Sequence, residues 1–378
     1  MDKRERVIRT LELEEPDVVP IHSLGYDRTR KGYADFLKSG FSTKYKKNIE
    51  DVGNIAEIRW WNADIWQMDP FNVFKTEIYP SPTGYEDCTL HVTGRIYRTK
   101  PGVKIDPMVA ASHIPWFEGG YFTSPERVHE LWNAHGRPID LLDENETYSK
   151  SHWDAFVDAL SPWVYPMAWL TLSMHEALFQ GVTPLKVAYF IRKDPGFIHE
   201  LMGEYCKVNV EIVKRFADAG VDILFYSDDL GQHGRSLLSK KDFKTFILPY
   251  LRKLYDACKK QGMFIVQHTC GYVDDLVPLL VDAGLSCVQS LEPTAGVDLA
   301  GLKQQWGDKI AFMGGMDSSR TLEFGTLADV KENVEHCMEA AAAGGGYFAG
   351  PSHTILDAPW DNILAFRDAI TKNRDQYG

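Results

Sequence analysis

The segment His268-Thr269-Cys270-Gly271 places two side chains that can bind a metal ion two positions apart. It follows Phe264-Ile265-Val266-Gln267, a short apolar run that is typical of a buried strand. A turn at the end of a strand can direct an imidazole and a thiolate at the same point, and zinc accepts both. Because a catalytic zinc needs about three protein ligands and one open position, the pair indicates a zinc site whose third ligand has still to be identified.

Polar residues that follow other predicted strands are the candidates for the third ligand: Asp228, Asp229, Glu292 and His353. Each could instead hydrogen-bond to a metal ligand or bind substrate, so the sequence does not identify the third ligand. Cys287 is excluded because it lies early in its predicted strand, away from this end. A site with one thiolate and a carboxylate would be a harder Lewis acid than one with two thiolates, which suits polarisation of an oxygen atom.

The elements that must position these residues alternate between short apolar runs and amphipathic helical stretches. Helices are predicted to start at Asp194-Pro195, at Ser239 with Asp242, and at Thr326 with Asp329. Strands are predicted to begin near positions 222, 264, 287, 310 and 346, and earlier candidates lie at 18–21, 64–68 and 167–171. Eight strands with intervening helices predict an α/β fold, the closed (β/α)8 TIM barrel, as a single domain over 1–378.

A doubly wound open sheet is the alternative. It usually carries a glycine-rich phosphate turn after its first strand, and His22-Ser23-Leu24-Gly25 is not such a turn. Between about 73 and 122 the barrel rhythm breaks. Thr76-Glu77-Ile78-Tyr79, a Pro/Gly turn and the alternating run 90–97 predict an antiparallel β-hairpin insertion in the N-terminal half that could cover the barrel mouth.

Reacting groups of such barrels collect at the carboxyl ends of the strands, because the loops there face one cavity. The polar residues expected at those ends are His22, Asp69, His175, Glu176, Asp228, Asp229, His268, Cys270, Glu292, Asp317, Ser352 and His353. Helix capping is the more ordinary role for Asp69 and Asp317. We assign substrate contacts to His22, His175 and Asp317. Trp66 and Trp169 could stack on an aromatic substrate, although core packing is the commoner role of such residues.

Composition excludes several classes of protein. The 378 residues carry a net charge of −12, which disfavours a nucleic-acid partner. No apolar run approaches the ~20 residues that span a bilayer, so no membrane contact is expected. The N-terminus leads into an amphipathic helix instead of a signal peptide, and the six widely spaced cysteines fit reduced thiols. A cytoplasmic protein is therefore predicted.

Motifs along nearly the whole chain resemble the uroporphyrinogen decarboxylase superfamily. They begin with Arg4-Glu5-Arg6-Val7-Ile8 and Glu15-Pro16-Asp17-Val18-Val19-Pro20-Ile21. They continue through Tyr226-Ser227-Asp228-Asp229 and His268-Thr269-Cys270-Gly271. They end with Met313-Gly314-Gly315-Met316-Asp317 and Gly350-Pro351-Ser352-His353. The arginine-rich signature by which true decarboxylases bind tetrapyrrole carboxylates has no counterpart after the first strand.

The resemblance extends to the corrinoid-dependent methyltransferases of that superfamily, which bind zinc through an H-x-C…C pattern. His268 and Cys270 match the first two positions, and the final Cys falls near Ser352 here. The resemblance implies zinc held by His268 and Cys270, with Asp228 or His353 completing the set. Asp229 or Glu292 would then orient a ligand or contact the substrate.

The implied reaction moves a methyl group from a small donor, such as an aromatic methyl ether, to Co(I) of a corrinoid (cobalamin) held by a partner protein. A homodimer is expected by analogy only. The alternatives are a metal-independent decarboxylase or lyase, a methylcorrinoid:thiol methyltransferase, and a non-catalytic binding barrel. The many ionisable groups at the mouth count against the last.

Overall fold

The computed structural model describes residues 1–27, 30–39, 55–68, 78–101, 113–142, 149–170 and 172–377. The strands are β1 (Ile65–Met68), β2 (Ile78–Tyr79), β3 (Cys88–His91), β4 (Arg95–Pro101), β5 (His113–Gly120), β6 (Tyr165–Leu170), β7 (Ile223–Ser227), β8 (Gly231–Gln232), β9 (Arg235–Ser236), β10 (Phe264–Thr269), β11 (Cys287–Ser290), β12 (Ala311–Gly314) and β13 (Tyr347–Phe348). The helices are α1 (Lys3–Leu11), α2 (Lys31–Lys38), α3 (Ile55–Trp61), α4 (Pro125–His135), α5 (Lys150–Leu160), α6 (His175–Val182), α7 (Pro184–Lys193), α8 (Pro195–Asp218), α9 (Lys240–Phe246), α10 (Leu248–Lys260), α11 (Val277–Ala283), α12 (Leu299–Trp306), α13 (Thr321–Phe324), α14 (Leu327–Ala341) and α15 (Trp360–Asn373).

Seven parallel strands form one sheet in the order β1-β6-β7-β10-β11-β12-β13. The segment at Ile21 and His22 joins its two edges, because Ile21 bridges to Ala349 and His22 bridges to Ile65. This segment takes the eighth place in the barrel, although only these two bridges replace the strand predicted over 18–21. The predicted (β/α)8 fold is confirmed.

Alternate residues of the parallel strands face the inside of the barrel and the surrounding helices, as the two-residue period of a strand requires. The inner layer contains Ile65, Tyr165, Met167, Ile223, Phe225, Val266, Cys287, Ala311, Met313 and Phe348. Trp169 packs against this inner layer, whereas Trp66 belongs to the outer layer beneath the helices. Residue 66 follows the inward-facing Ile65 and points the other way, so Trp66 packs in the core, the commoner role named for it above.

The predicted insertion contains a four-stranded antiparallel sheet in the order β2-β3-β4-β5, two strands more than the predicted hairpin. The parts of the insertion at 73–77 and 102–112 lie outside the described residues, as does Asp69. The turn before β4 packs against α6 so closely that a Cβ at Gly181 would overlap the carbonyl oxygen of Thr93. Tyr205 donates a hydrogen bond to that same oxygen at 3.1 Å, and Phe122 N donates to the Gly181 carbonyl at 2.8 Å. The sheet is thus attached to α6, which follows barrel strand β6.

A buried ion-pair network joins both ends of the chain at the base of the barrel. Asp64, which is fully buried just before β1, contacts Arg6 and Arg374, each at 2.7 Å. Its carboxylate also accepts a hydrogen bond from the backbone of Ile21 at 2.8 Å. Because this end of a TIM barrel is remote from the mouth, the network serves stability.

None of the helices in the described part of the chain combines the length and the apolar composition that crossing a bilayer requires.

Candidate metal centre

Three of the residues that the sequence singled out converge at the carboxyl end of β10. The potential ligand atoms of His268, Cys270 and His353 all lie within 4.8 Å of one another. Cys270 Sγ is 3.3 Å from His268 Nε2, and the rings of His268 and His353 are 5.7 Å apart between centroids. His268 is 8% exposed, while Cys270 and His353 are half-buried, so the cluster opens toward solvent on one side.

His268 points inward from β10 and is oriented by its neighbour on β11. The two strands pair in register at His268 and Gln289, and the side-chain oxygen of Gln289 contacts His268 Nδ1. An amide oxygen can only accept, so Nδ1 carries the proton and Nε2 keeps its lone pair toward Cys270. The Gln289 amide nitrogen in turn donates to the carbonyl of Ser352 at 3.4 Å. This is the arrangement by which proteins fix a metal-binding imidazole.

His353 reaches the cluster from the loop after β13. Its backbone N–H donates to Ser318 Oγ at 3.1 Å, and Ser352 N donates to the Met316 carbonyl at 2.7 Å. Ser352, near which the family pattern has its last cysteine, is 2% exposed, and its hydroxyl lies 3.1 Å from Ser318 Oγ. The side chain near His268 and Cys270 is therefore the imidazole of His353, the residue after Ser352.

Two carboxylates brace the turn that carries Cys270. Asp229 accepts from Cys270 N at 2.9 Å and lies 3.7 Å from His268 Nε2, while Glu292 accepts from Gly271 N at 2.9 Å. Gly271 has a φ of +82°, and a Cβ there would overlap the backbone of Gly231. The turn therefore needs glycine.

Electrostatics at the centre favour a bound cation. Burial, followed by the charges of Asp229 and Glu292, raises the pKa of the Cys270 thiol well above its usual range. Without a positive charge nearby, the sulfur stays protonated. A divalent cation reverses that balance, since it stabilises the thiolate directly and offsets the neighbouring carboxylates.

Asp228 does not contact this cluster with its carboxylate. It is fully buried and accepts hydrogen bonds from the backbone of His175 at 3.0 Å and of Glu176 at 2.8 Å, and from the Tyr226 hydroxyl at 2.8 Å. Burial raises the pKa of Asp228 to about 6. Because its oxygens cap the start of α6, they do not reach the cluster as the third metal ligand that the resemblance allowed, and we assign Asp228 a positioning role.

The predicted substrate contacts have different surroundings. His22 faces the barrel interior, is 2% exposed, and has no hydrogen-bond partner for Nε2 among the described residues. Burial and the nearby His268 lower the pKa of His22 to about 3, so the ring is neutral. Trp169 meets Phe225 edge-on at 6.4 Å, and Phe225 lies 6.1 Å from the His268 ring. His22 and Trp169 therefore both lie on the inner wall of the barrel, near the cluster.

His175 and Asp317 occupy supporting positions instead. His175 is fully buried, and its Nδ1 lies 2.6 Å from the backbone carbonyl oxygen of Asp229. This contact fixes the backbone at Asp229. The carboxylate of Asp317 accepts from the backbone of Arg320 at 2.9 Å and of Thr321 at 3.1 Å. It caps α13 and lines a separate cavity of about 720 Å³. Both residues thus form hydrogen bonds within the fold, and their predicted substrate contacts stay predictions.

Glu176 and Gln289 are site residues to which the sequence assigned no role. Glu176 lies in the first turn of α6, where burial and the charge of Asp229 raise its pKa to about 7. Its four-residue spacing from Gln180, which donates to it at 2.7 Å, was visible in the sequence. Gln289 could be found only from strand register, which the sequence does not specify at single-residue resolution.

Comparison with known proteins identifies a family whose sequence pattern matches this chain. The family described as Uroporphyrinogen decarboxylase (URO-D) matches residues 180–373, just over half of the chain. The uroporphyrinogen decarboxylase of Pseudoalteromonas atlantica is 24% identical over 57% of this chain, which spans 58% of that protein's length. The barley (Hordeum vulgare) enzyme is 21% identical, and the match covers 85% of this chain and 89% of that one. A solved methyltransferase from Methanosarcina mazei shares the fold with a TM-score of 0.64, at 15% identity, over 98% of this chain and 99% of its own.

Proposed function

We propose, from the premise that this chain belongs to the uroporphyrinogen decarboxylase family, that it is a zinc-dependent methyltransferase. It would take a methyl group from a small donor, an aromatic methyl ether, and pass it to a Co(I) corrinoid protein. The convergence of His268, Cys270 and His353 at the mouth of the barrel carries this proposal. A solved barrel of the same fold is described as a methyltransferase, which supports the reaction class at the level of fold.

The three side chains fit a catalytic zinc. Tetrahedral coordination with Zn–S near 2.3 Å and Zn–N near 2.0 Å separates sulfur and nitrogen ligands by about 3.5 Å. The distance between Cys270 Sγ and His268 Nε2 is 3.3 Å. Two imidazoles and one thiolate would leave the fourth coordination position of a zinc ion open for the substrate. A zinc ion held by these residues would polarise the ether oxygen, which leaves when the methyl group is transferred.

The remaining residues of the site bind and orient. Asp229 and Glu292 hold the backbone of the turn that presents the thiol of Cys270. Trp169 and His22 form the inner wall, on which an aromatic donor can rest with one ring nitrogen of His22 free to bond it. The same scaffold would hold the leaving oxygen, the methyl carbon and the acceptor cobalt in one line, which lowers the entropic part of the barrier. The acceptor cobalt belongs to the partner's cofactor.

Metal content and methyl transfer test the proposal together. Zinc is measured in the purified wild type, in His268→Ala and in His336→Ala, an exposed histidine on α14 that serves as the control. We expect near-stoichiometric zinc in the wild type and the control, and its loss in His268→Ala. Methyl transfer from a panel of methoxyaromatics to reduced cobalamin, followed by its absorption spectrum, should fall with the zinc. A zinc-free wild type, or full transfer by Cys270→Ala, would reject the proposal.

A decarboxylase is the second candidate, because the curated relatives carry that name. In that case the ionisable residues of the mouth would handle protons without a metal. Carbon dioxide release from a porphyrinogen that is unaffected by chelators would favour it. The thiol-methylating alternative predicts instead that transfer runs from methylcobalamin to an added thiol.

A further inference from the structure

Arg95, the first residue of β4, is a buried cation with neutral partners. Its side chain is 8% exposed, Nε donates to Thr93 Oγ1 at 3.0 Å, and Nη1 donates to Gln180 Oε1 at 3.3 Å. The guanidinium lies 5.9 Å from the ring centroid of Tyr97. Among the described residues no carboxylate oxygen lies within 4.0 Å of it, and the Tyr97 hydroxyl is its third hydrogen-bond partner, again a neutral one. A buried guanidinium without a carboxylate is unusual, because burial of an unpaired charge is costly.

Arg95 is held at the barrel mouth by the insertion. Thr93, two residues earlier, packs on Gly181 of α6 and accepts the hydrogen bond from Tyr205 of α8. Gly120 at the end of β5 also packs closely on α6. Because the turn before β4 and the end of β5 are both fixed to this helix, the guanidinium keeps its place beside Gln180 of α6.

Two side chains, those of Gln180 and Glu176, connect Arg95 to the surroundings of the candidate metal centre. Gln180 accepts from Arg95 through Oε1 and donates from Nε2 to Glu176 at 2.7 Å. Glu176 in turn lies close enough to Asp229 and Cys270 for its charge to act on both. The cation therefore stands on the same wall as the cluster, two side chains away from it.

We infer that Arg95 binds a carboxylate of the substrate, so that the methyl donor is a small molecule bearing one negative charge. The guanidinium has only neutral hydrogen-bond partners, and its uncompensated charge supplies the charge-assisted hydrogen bond that a carboxylate accepts. A phosphate with two charges fits less well, because Glu176, Asp229 and Glu292 line the same mouth. That the bound molecule is the methyl donor rests on the proposed function. The preference for an anion rests on Arg95 alone.

Calorimetry with matched probes tests the inference on the full-length protein. The probes are 2-, 3- and 4-methoxybenzoate, each compared with its neutral amide. We expect at least one benzoate to bind the wild type tenfold or more tightly than its amide, and Arg95→Met to reduce that ratio to about one. Arg98→Met is the control, since Arg98 lies on the same strand and pairs with Glu118 at 2.9 Å. It should keep the preference.

Three results would overturn the inference: no benzoate binding to the wild type, equal binding of acid and amide, or a preference that survives Arg95→Met. If Arg95→Met does not fold, Arg95→Lys decides, because it keeps the charge and should keep part of the preference. Binding needs no corrinoid, so the two proposals fail separately. Carboxylate preference without methyl transfer would reject only the reaction, and transfer from acid and amide alike would reject only the role of Arg95.

Discussion

Replacement of Gln289 by methionine should weaken zinc binding without removing any ligand. The substitution keeps the side chain's length but removes the oxygen that holds the proton on His268 Nδ1. The imidazole could then rotate or take the other tautomer, with its proton on Nε2. Loss of such a supporting hydrogen bond typically costs 10–100-fold in metal affinity, about 1.4–2.8 kcal/mol.

Gln267→Met is a closely matched control. Gln267 is also fully buried, lies one residue before His268, and bonds through its amide to the Tyr255 hydroxyl and, at 3.5 Å, to the Asp228 carbonyl. It points outward, away from the centre. Both variants should lose similar folding stability in EDTA, and only Gln289→Met should lose zinc affinity.

Competition against a chromophoric chelator measures the affinity, and urea unfolding in EDTA measures the stability separately. Equal zinc affinity in Gln289→Met and the wild type would refute the reasoning, as would equal losses in the two variants. The first result would mean that the imidazole needs no support, and the second that the loss reflects only a loosened core.

Three other substitutions test the surroundings of the site. Asp64→Ala should lower the free energy of unfolding by about 3–5 kcal/mol, because Arg6 and Arg374 lose a buried partner; a loss below about 1 kcal/mol in urea titration would contradict this. Gly271→Ala should cost roughly 2 kcal/mol or more and reduce bound zinc, since the residue has a φ of +82° against the Gly231 backbone; full zinc content would argue against it. Burial lowers the pKa of His175 to about 4 from 6.5, so the unfolded chain takes up this proton first and stability falls as the pH drops from 6.5 toward 4. Between pH 7 and 5 this amounts to about 2 kcal/mol, and His175→Gln should remove that part of the decline when unfolding is compared at the two pH values; an unchanged decline would show that the group titrates normally.

The barrel and its helix starts could be predicted because local chemistry determines them. Asp194 and Ser239 cap α8 and α9 as their types and positions suggested, and Thr326 forms a full capping box with Asp329. The pairing of His268 with Cys270 was also local, since one turn holds both. The fold itself therefore followed from short-range patterns.

The remaining features depend on contacts between distant parts of the chain. A shift of one residue reverses the face of a strand, which is why Trp66 and Trp169 could not be distinguished. Asp228 and Asp229 are adjacent, yet one caps a helix and the other braces the Cys270 turn. Arg95 lies near α6 only because the insertion packs on that helix. Such long-range docking leaves no mark in a single sequence.

The barrel is closed at Ile21 and His22 by only two bridges, so this side has fewer hydrogen bonds between strands than the opposite side. β10, which presents His268, is hydrogen-bonded along its length to β7 and β11, whereas the wall of His22 has a single bridge to each neighbour. Local opening requires the fewest broken bonds at that seam. Local opening there would widen the cavity at the mouth while His268 and Cys270, on the opposite wall, keep their positions. His353, in the loop after β13, lies nearer the seam and would be the potential ligand that moves.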